Sequence, residues 1–92
     1  MPRFFLHIVD RYGRAPDEEG REFDSARQAR EAAVKGARSL LIGELEQGRL
    51  DLRGRIEVAD DRQGVADVVE FADVVDILRG PLPGPESEDW QT

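Results

Sequence analysis

The first strand of this chain has two apolar faces, and that property limits the possible folds more than any other. Residues 4–9 read FFLHIV. Alternate side chains of a strand point to opposite sides. One face therefore carries Phe4, Leu6 and Ile8, and the other carries Phe5, His7 and Val9. Neither face suits open water, so both need cover, and we assign the larger set to the face that packs on a helix.

A long helix is predicted between residues 24 and 48. Ser25 and Gln28 have the spacing of a capping box, and Gly48 provides a left-handed stop. The helix between them has about 22 residues and is roughly 33 Å long. Its apolar stripe is alanine-rich at the start and leucine-rich at the end, and consists of Ala26, Ala29, Ala33, Ala37, Leu40, Leu41 and Leu45.

Turn-forming residues on either side of this helix predict two hairpins. Residues 10–20 are rich in Gly, Pro and Asp, and residues 21–23 form a short return strand. Residues 54–71 form the second hairpin. A two-residue loop puts Val58 opposite Asp67, whereas a three-residue loop ending in Gly64 puts Val58 opposite Val68, so the register stays open.

The resulting fold class is α+β. We expect a small antiparallel sheet of three to four strands with one long helix on one face, in the order β-β-α-β-β. Asp73 caps a short C-terminal helical turn that ends at Gly80 and Pro81. Residues 1–79 form a single domain, and residues 80–92 form a flexible tail rich in proline and acidic residues.

Composition excludes several kinds of chemistry. The 92 residues include no cysteine, which rules out disulfides, thiolate metal sites and thiol nucleophiles. No segment approaches the ~20 apolar residues that span a bilayer, and we expect a cytoplasmic protein without membrane contact. The net charge of −7 opposes approach to nucleic acid.

One helix covers only one face of such a sheet, so the other face lacks cover. The helix is also longer than the strands and should overhang the sheet. A second copy of the chain would answer both observations, and the alternative is a small exposed apolar patch on a monomer. The candidate interface consists of Phe5, His7, Val9, Leu41, Ile42 and Leu45.

No catalytic, metal-binding or cofactor site is predicted. His7 is the single histidine, and no nucleophile or orienting acid accompanies it, which favours a structural or interface role over a catalytic one. An acidic cluster lacks the spacing of a calcium loop and is interpreted as a solvated turn; it comprises Asp17, Glu18, Glu19, Glu22 and Asp24. No nucleotide-binding glycine pattern is present.

Two further features concern partners. The helix carries a candidate basic patch, made of Arg27, Arg30, Lys35 and Arg38, which ion pairs along the helix also explain as an ordinary solvated face. Nucleic-acid binding is the less favoured interpretation of this patch. Trp90 stands alone in the acidic tail and is either a candidate anchor for a partner or part of a disordered terminus.

The order of segments resembles a family of short bacterial proteins of unknown function. The resemblance lies in the opening MPRFFLHIVD, the segment DEEGREF, the alanine-rich helix, and GRIEVADDRQGVADVVEFADVV. Members open with an MPRYFFH-like strand; this chain has Phe4 where tyrosine is usual and Leu6 where phenylalanine is usual. The resemblance covers about residues 1–78 and implies a bacterial cytoplasmic domain without assigned catalytic residues.

A looser likeness, in fold pattern only, is to antitoxin partners of toxin–antitoxin systems. The preferred interpretation is a non-enzymatic homodimeric interaction or regulatory module. The alternative is an antitoxin-like or nucleic-acid-associated regulator. A small-molecule enzyme is third, and a deep polar pocket containing His7 would favour it.

Overall fold

The computed structural model describes residues 2–62 and 64–83, and its elements form an α+β fold, as predicted. Five antiparallel strands make one sheet in the order β2-β1-β4-β5, with β3 also paired to β1. The elements are β1 (Arg3–Asp10), β2 (Gly13–Ala15), β3 (Arg21–Glu22), the helix α1 (Ala26–Glu46), β4 (Arg55–Asp60), β5 (Val65–Glu70), and a final 3₁₀ turn (Phe71–Asp73).

The return strand of the first hairpin is split into two pieces. β2 pairs with the end of β1, where Val9 lies opposite Arg14. β3 pairs with its beginning, where Phe4 lies opposite Arg21. The predicted single return strand at residues 21–23 is therefore only the second piece, and the sheet has one strand more than the predicted three to four.

The helix begins and ends where the sequence predicts. Ser25 Oγ accepts a hydrogen bond from the Gln28 N–H at 3.2 Å, and Gln28 Oε1 accepts one from the Asp24 N–H at 3.0 Å. Gly48 follows the last turn with φ +83°, a conformation that glycine adopts without the penalty of a side chain.

The buried stripe of α1 is narrower than predicted. Only Ala29, Ala33, Ala37 and Leu41 are buried. Ala26, Leu40 and Leu45 were predicted to share this stripe but are exposed. The small alanines let the helix lie close to the sheet, whereas the last turn extends past it.

The core lies between α1 and one face of the sheet. It is formed by Phe4, Ile56, Val58, Val69, Phe71 and Val74 together with the buried helical residues. Leu6 and Ile8 pack against this cluster, so the inner face of β1 is the one that the alternation predicts.

The register of the second hairpin changes between Val58 and Ala59. Val58 lies opposite Asp67, the pairing expected for a two-residue loop, but Ala59 lies opposite Val65 because a bulge interrupts β5. Near the turn the Asp60 N–H donates to the Gly64 carbonyl oxygen at 3.0 Å. The extra residue of the bulge keeps Val69 in the core although the loop is longer than two residues.

The C-terminal helical turn occurs earlier than predicted. Phe71, Ala72 and Asp73 form it, whereas the prediction placed it after an Asp73 cap. Phe71 anchors the turn because its side chain is buried in the core and its N–H donates to the Gly54 carbonyl oxygen at 2.9 Å.

Within the described residues, no helix is long and apolar enough to cross a membrane. Most of the predicted tail, including Trp90, lies outside the described residues.

Candidate functional site

The face of the sheet that points away from α1 is called the outer face here. Its side chains form three rows across the strands: Phe5, Ala59 and Val65; then His7, Glu57 and Val68; then Val9, Arg55 and Glu70, with Arg14 beside Val9. α1, the one helix of the described residues, packs on the opposite face. Apolar side chains thus lie beside a charged centre around Glu57, on the face that α1 does not cover.

Glu57 occupies the centre of the outer face between two arginines. Its Oε1 lies 3.5 Å from Arg14 Nη2, and its Oε2 lies 3.0 Å from Arg55 Nη2. Only 17% of the Glu57 side chain is exposed. Glu70 lies opposite Arg55 on β5. The two arginines and two glutamates sum to zero charge on a chain whose net charge is −7.

The gap between β2 and β3 is closed by the side chain of Asp17. Its Oδ2 accepts a hydrogen bond from the Leu6 N–H at 3.1 Å, a group that would otherwise have no strand partner. Its Oδ1 accepts one from the Gly20 N–H at 3.1 Å. The Asp17 carboxylate therefore takes the place of a backbone carbonyl of a neighbouring strand at this edge of β1. Asp side chains accept backbone hydrogen bonds in a similar way in Asx turns.

The hydrogen bonds of Asp17 also set its acidity. Partial burial raises the pKa of the carboxyl, but backbone N–H groups of Leu6, Gly20 and Glu19, with the nearby His7, lower it by more. The net pKa lies below the ordinary value of 3.8. The folded chain therefore favours the charged form of the Asp17 carboxyl.

His7 takes part in the same structure. Its Nδ1 accepts a hydrogen bond from the Asp17 N–H at 3.0 Å, and its ring stacks on Phe5 with centroids 6.3 Å apart and an angle of 6° between the planes. Because Nδ1 is an acceptor, the neutral ring carries its proton on Nε2. His7 therefore has a structural role, because it holds the Asp17 backbone against β1.

Phe5 receives part of its cover from its own chain. A Cβ added at Gly20 would lie 2.7 Å from Phe5 Cε2, so the backbone of this turn lies directly against the ring. Phe5, His7 and Val9 are all half-buried rather than open. The expectation that a partner must supply all the cover is too strong for Phe5, and it remains a prediction for the rest of the outer face.

His7 also borders a groove of about 470 Å³ on the outer face. The groove is open and half apolar, and its lining holds no serine, threonine or tyrosine hydroxyl. It is lined by Phe5, His7, Arg14, Pro16, Asp17, Glu18, Ala59, Asp60 and Val65. Nothing in this lining pairs His7 with a nucleophile, so the groove does not have the character of the deep polar pocket that would favour an enzyme.

The other predicted interface residues lie elsewhere. Leu41 is 3% exposed and belongs to the core, so its assignment to an interface is wrong. Ile42 and Leu45 are 58% and 57% exposed on the helix. The helix and the outer face lie on opposite sides of the sheet, so one two-fold contact cannot include both.

The candidate basic patch lines one groove along α1, next to β5. Three of its members already have partners within the chain. Arg30 Nη1 lies 2.9 Å from Asp67 Oδ1, and Arg38 Nε donates to the Val74 carbonyl oxygen at 2.9 Å. Arg27 pairs loosely with Glu31 at 3.6 Å, and Lys35 is exposed.

The predicted acidic turn is not a cluster in space. Asp17 points to the edge of β1, and Glu22 pairs with Arg3 at 3.6 Å. Within residues 2–62 and 64–83, no group of three or more His, Cys, Asp or Glu side chains is arranged to hold a metal ion.

Sequence reasoning missed the charged centre of the outer face and the role of Asp17. Arg55 and Glu57 alternate with buried residues in β4, and this period of two was the available signal. The edge position of Asp17 had no such signal, because it depends on a return strand that is split in two.

These features define an α+β domain in which the one helix of the described residues packs on one face of the sheet. The chain belongs to the family described as Domain of unknown function (DUF6894), whose model matches residues 3–72. Neither the curated proteins nor the solved structures gave a match to this chain. The match excludes the segment beyond the 3₁₀ turn and confirms the resemblance to a family without an assigned activity.

Proposed function

We propose that the chain is a non-enzymatic interaction or regulatory module of the bacterial cytoplasm, and that it acts as a homodimer whose two copies meet through their outer faces. One observation carries the proposal: the outer face holds apolar side chains that no helix of the described residues covers. Val65 is 59% exposed and Val68 is 38% exposed, and Val9 is half-buried beside them.

The charge distribution favours a second copy as the occupant of this face. Most surfaces of a chain with a net charge of −7 repel an identical chain. The part of the outer face around Glu57 is neutral, because the charges of Arg14 and Arg55 offset those of Glu57 and Glu70. A two-fold axis that passes between Arg55 and Glu70 would bring each of these side chains towards its opposite charge in the other copy, which gives direction to the contact.

The apolar contribution supports the same choice. Complete burial of a valine side chain stabilises by about 1.5–3 kcal/mol, so covering the exposed halves of Val65 and Val68 contributes on the order of 1 kcal/mol for each residue. In a two-fold contact each interface residue occurs once in each copy, so its contribution to the association free energy is made twice. Apolar burial in both copies therefore favours association, against the loss of translational and rotational freedom that any dimer incurs.

The experiment compares three variants by sedimentation velocity over a range of concentrations. Val65→Asp and Val68→Asp add a charge to the outer face, and Ile42→Asp adds the same charge at a helical position of similar exposure, 58% against 59% for Val65. We expect the wild type and Ile42→Asp to sediment as dimers and both valine variants to sediment as monomers. A monomeric wild type, or dissociation by Ile42→Asp alone, would refute the outer-face dimer.

The nucleic-acid-associated regulator remains the alternative, and its support is weaker. Arg30 and Arg38 make contacts within the chain, which reduces the charge that the patch offers to phosphates. Binding of a DNA or RNA duplex with an affinity that falls steeply with salt would support the alternative.

A further inference from the structure

We propose that the groove along the outer flank of α1 binds the acidic segment of the same molecule, residues 84–91, which read GPESEDWQ. The groove, called the flank groove below, is lined by Arg27, Arg30, Glu31, Val34, Lys35 and Arg38. It lies on the helix side of the sheet, so this contact is separate from the proposed dimer through the outer face.

Charge complementarity favours the acidic segment as the ligand of the flank groove. The flank groove carries four cationic side chains and the carboxylate of Glu31, and with Asp67, which pairs with Arg30 at 2.9 Å, the local sum is +2. The segment carries Glu86, Glu88 and Asp89, a sum of −3. The segment therefore carries the charge opposite to that of the flank groove, on a chain whose net charge is −7.

One present contact within the flank groove, the ion pair of Arg27 and Glu31, can give way to the segment. Arg27 Nε lies 3.6 Å from Glu31 Oε2, and the two side chains are 86% and 63% exposed. Exposed pairs of this kind contribute little to stability. Arg27 and Lys35 can therefore turn towards carboxylates of the segment without loss of a buried interaction.

The flank groove also has an apolar floor for an aromatic side chain. Val34 is half-buried and packs against the core cluster. The aliphatic stems of long cationic side chains extend such a floor, and their charged ends interact favourably with the face of an indole ring. Trp90 directly follows the acidic residues and is the one side chain of the segment that fits this environment.

The chain passes the flank groove before the segment begins. Arg38 Nε donates to the Val74 carbonyl oxygen at 2.9 Å, so the backbone lies beside the helix at this point. Between Val74 and Glu86 the chain can span up to about 40 Å. The groove from Arg27 to Arg38 is only about 16 Å long, so every part of it is within reach.

Tethering favours the segment over competing anions. A segment connected by a short linker is present at an effective concentration in the millimolar range. Free nucleic acid must instead approach a molecule that repels it overall. We therefore infer that the flank groove is an internal docking site, and that a macromolecule which uses the groove must displace the segment.

Trp90 provides the test, because it is the single tryptophan of the chain. Quenching of its fluorescence by acrylamide measures its accessibility in the complete protein. We expect the quenching constant to rise about threefold when salt is raised to about 1 M, where charges are screened beyond about 3 Å. Lys35→Glu should produce the same rise at low salt, whereas Arg62→Glu, an equal charge change in the exposed β4–β5 loop, should leave the constant unchanged.

Three results would overturn the proposal. The first is a quenching constant at low salt equal to that of the free peptide GPESEDWQ and unaffected by Lys35→Glu. The second is a constant that falls with rising protein concentration, which would assign the groove to a segment of another copy. The third is binding of a labelled single-stranded oligonucleotide that requires Lys35 and leaves Trp90 quenching unchanged, which would assign the groove to nucleic acid. Far-UV circular dichroism of each variant confirms that the helix is intact.

Discussion

Substitution of Asp17 by alanine tests the account of the sheet edge. The change removes the acceptor for the N–H groups of Leu6 and Gly20, both at 3.1 Å. Hydrogen bonds to charged groups contribute about 1.5–3 kcal/mol each. Both N–H groups are only partly buried and water replaces part of the interaction, so we expect Asp17→Ala to lower the free energy of unfolding by about 2–3 kcal/mol.

Urea unfolding followed by circular dichroism measures this loss. With a slope near 1 kcal/mol per molar for a small domain, the midpoint should fall by about 2–3 M. Glu18→Ala is the matched control, because Glu18 is the exposed neighbour of Asp17, and its midpoint should change little. A change below about 0.5 kcal/mol for Asp17→Ala, the usual size for a surface substitution, would refute the edge role.

The pH dependence has a definite sign. The pKa of Asp17 in the folded chain lies below its ordinary value of 3.8, so the folded state favours the carboxylate. The stabilisation is fully present above pH 3.8 and is lost as pH falls through the folded pKa. The difference between wild type and Asp17→Ala should therefore shrink on acidification, and a difference that grows would contradict the account.

Three further predictions concern packing and the histidine. Leu41→Ala should cost about 2–5 kcal/mol of unfolding free energy and Leu45→Ala less than about 0.5 kcal/mol, and equal losses in thermal unfolding would contradict the assigned core. Gly54→Ala should cost about 1–3 kcal/mol, because its Cβ would lie 2.8 Å from the Val9 carbonyl oxygen; an unchanged melting temperature would be inconsistent with this contact. Nitrogen-15 spectra of the neutral His7 ring should show the proton on Nε2, and a neutral ring with its proton on Nδ1 would exclude its role as an acceptor.

The sequence predicts the regular elements well because each has a local cause. The alanines of α1 recur at helical spacing, and Ser25 and Gly48 mark its ends, so no tertiary information is needed. The two faces of β1 follow from alternation alone. Where the stripe extends past the sheet, the same periodicity predicts burial for Leu45, although its side chain is 57% exposed among the described residues.

The remaining features depend on contacts between distant parts of the chain. The edge role of Asp17 requires a gap between β2 and β3, which no local pattern indicates. The bulge in β5 shifts one pairing after Val58, and either of the simple registers fits the sequence equally well. The charged centre around Glu57 becomes visible only when three strands are aligned.

The most direct test of the central claim is an isotope-filtered nuclear Overhauser experiment on a sample that mixes labelled and unlabelled chains. The account predicts intermolecular contacts from the methyl groups of Val65 and Val68 to outer-face side chains of the other copy. A complete absence of intermolecular contacts, or contacts that arise only from Ile42 and Leu45, would contradict it.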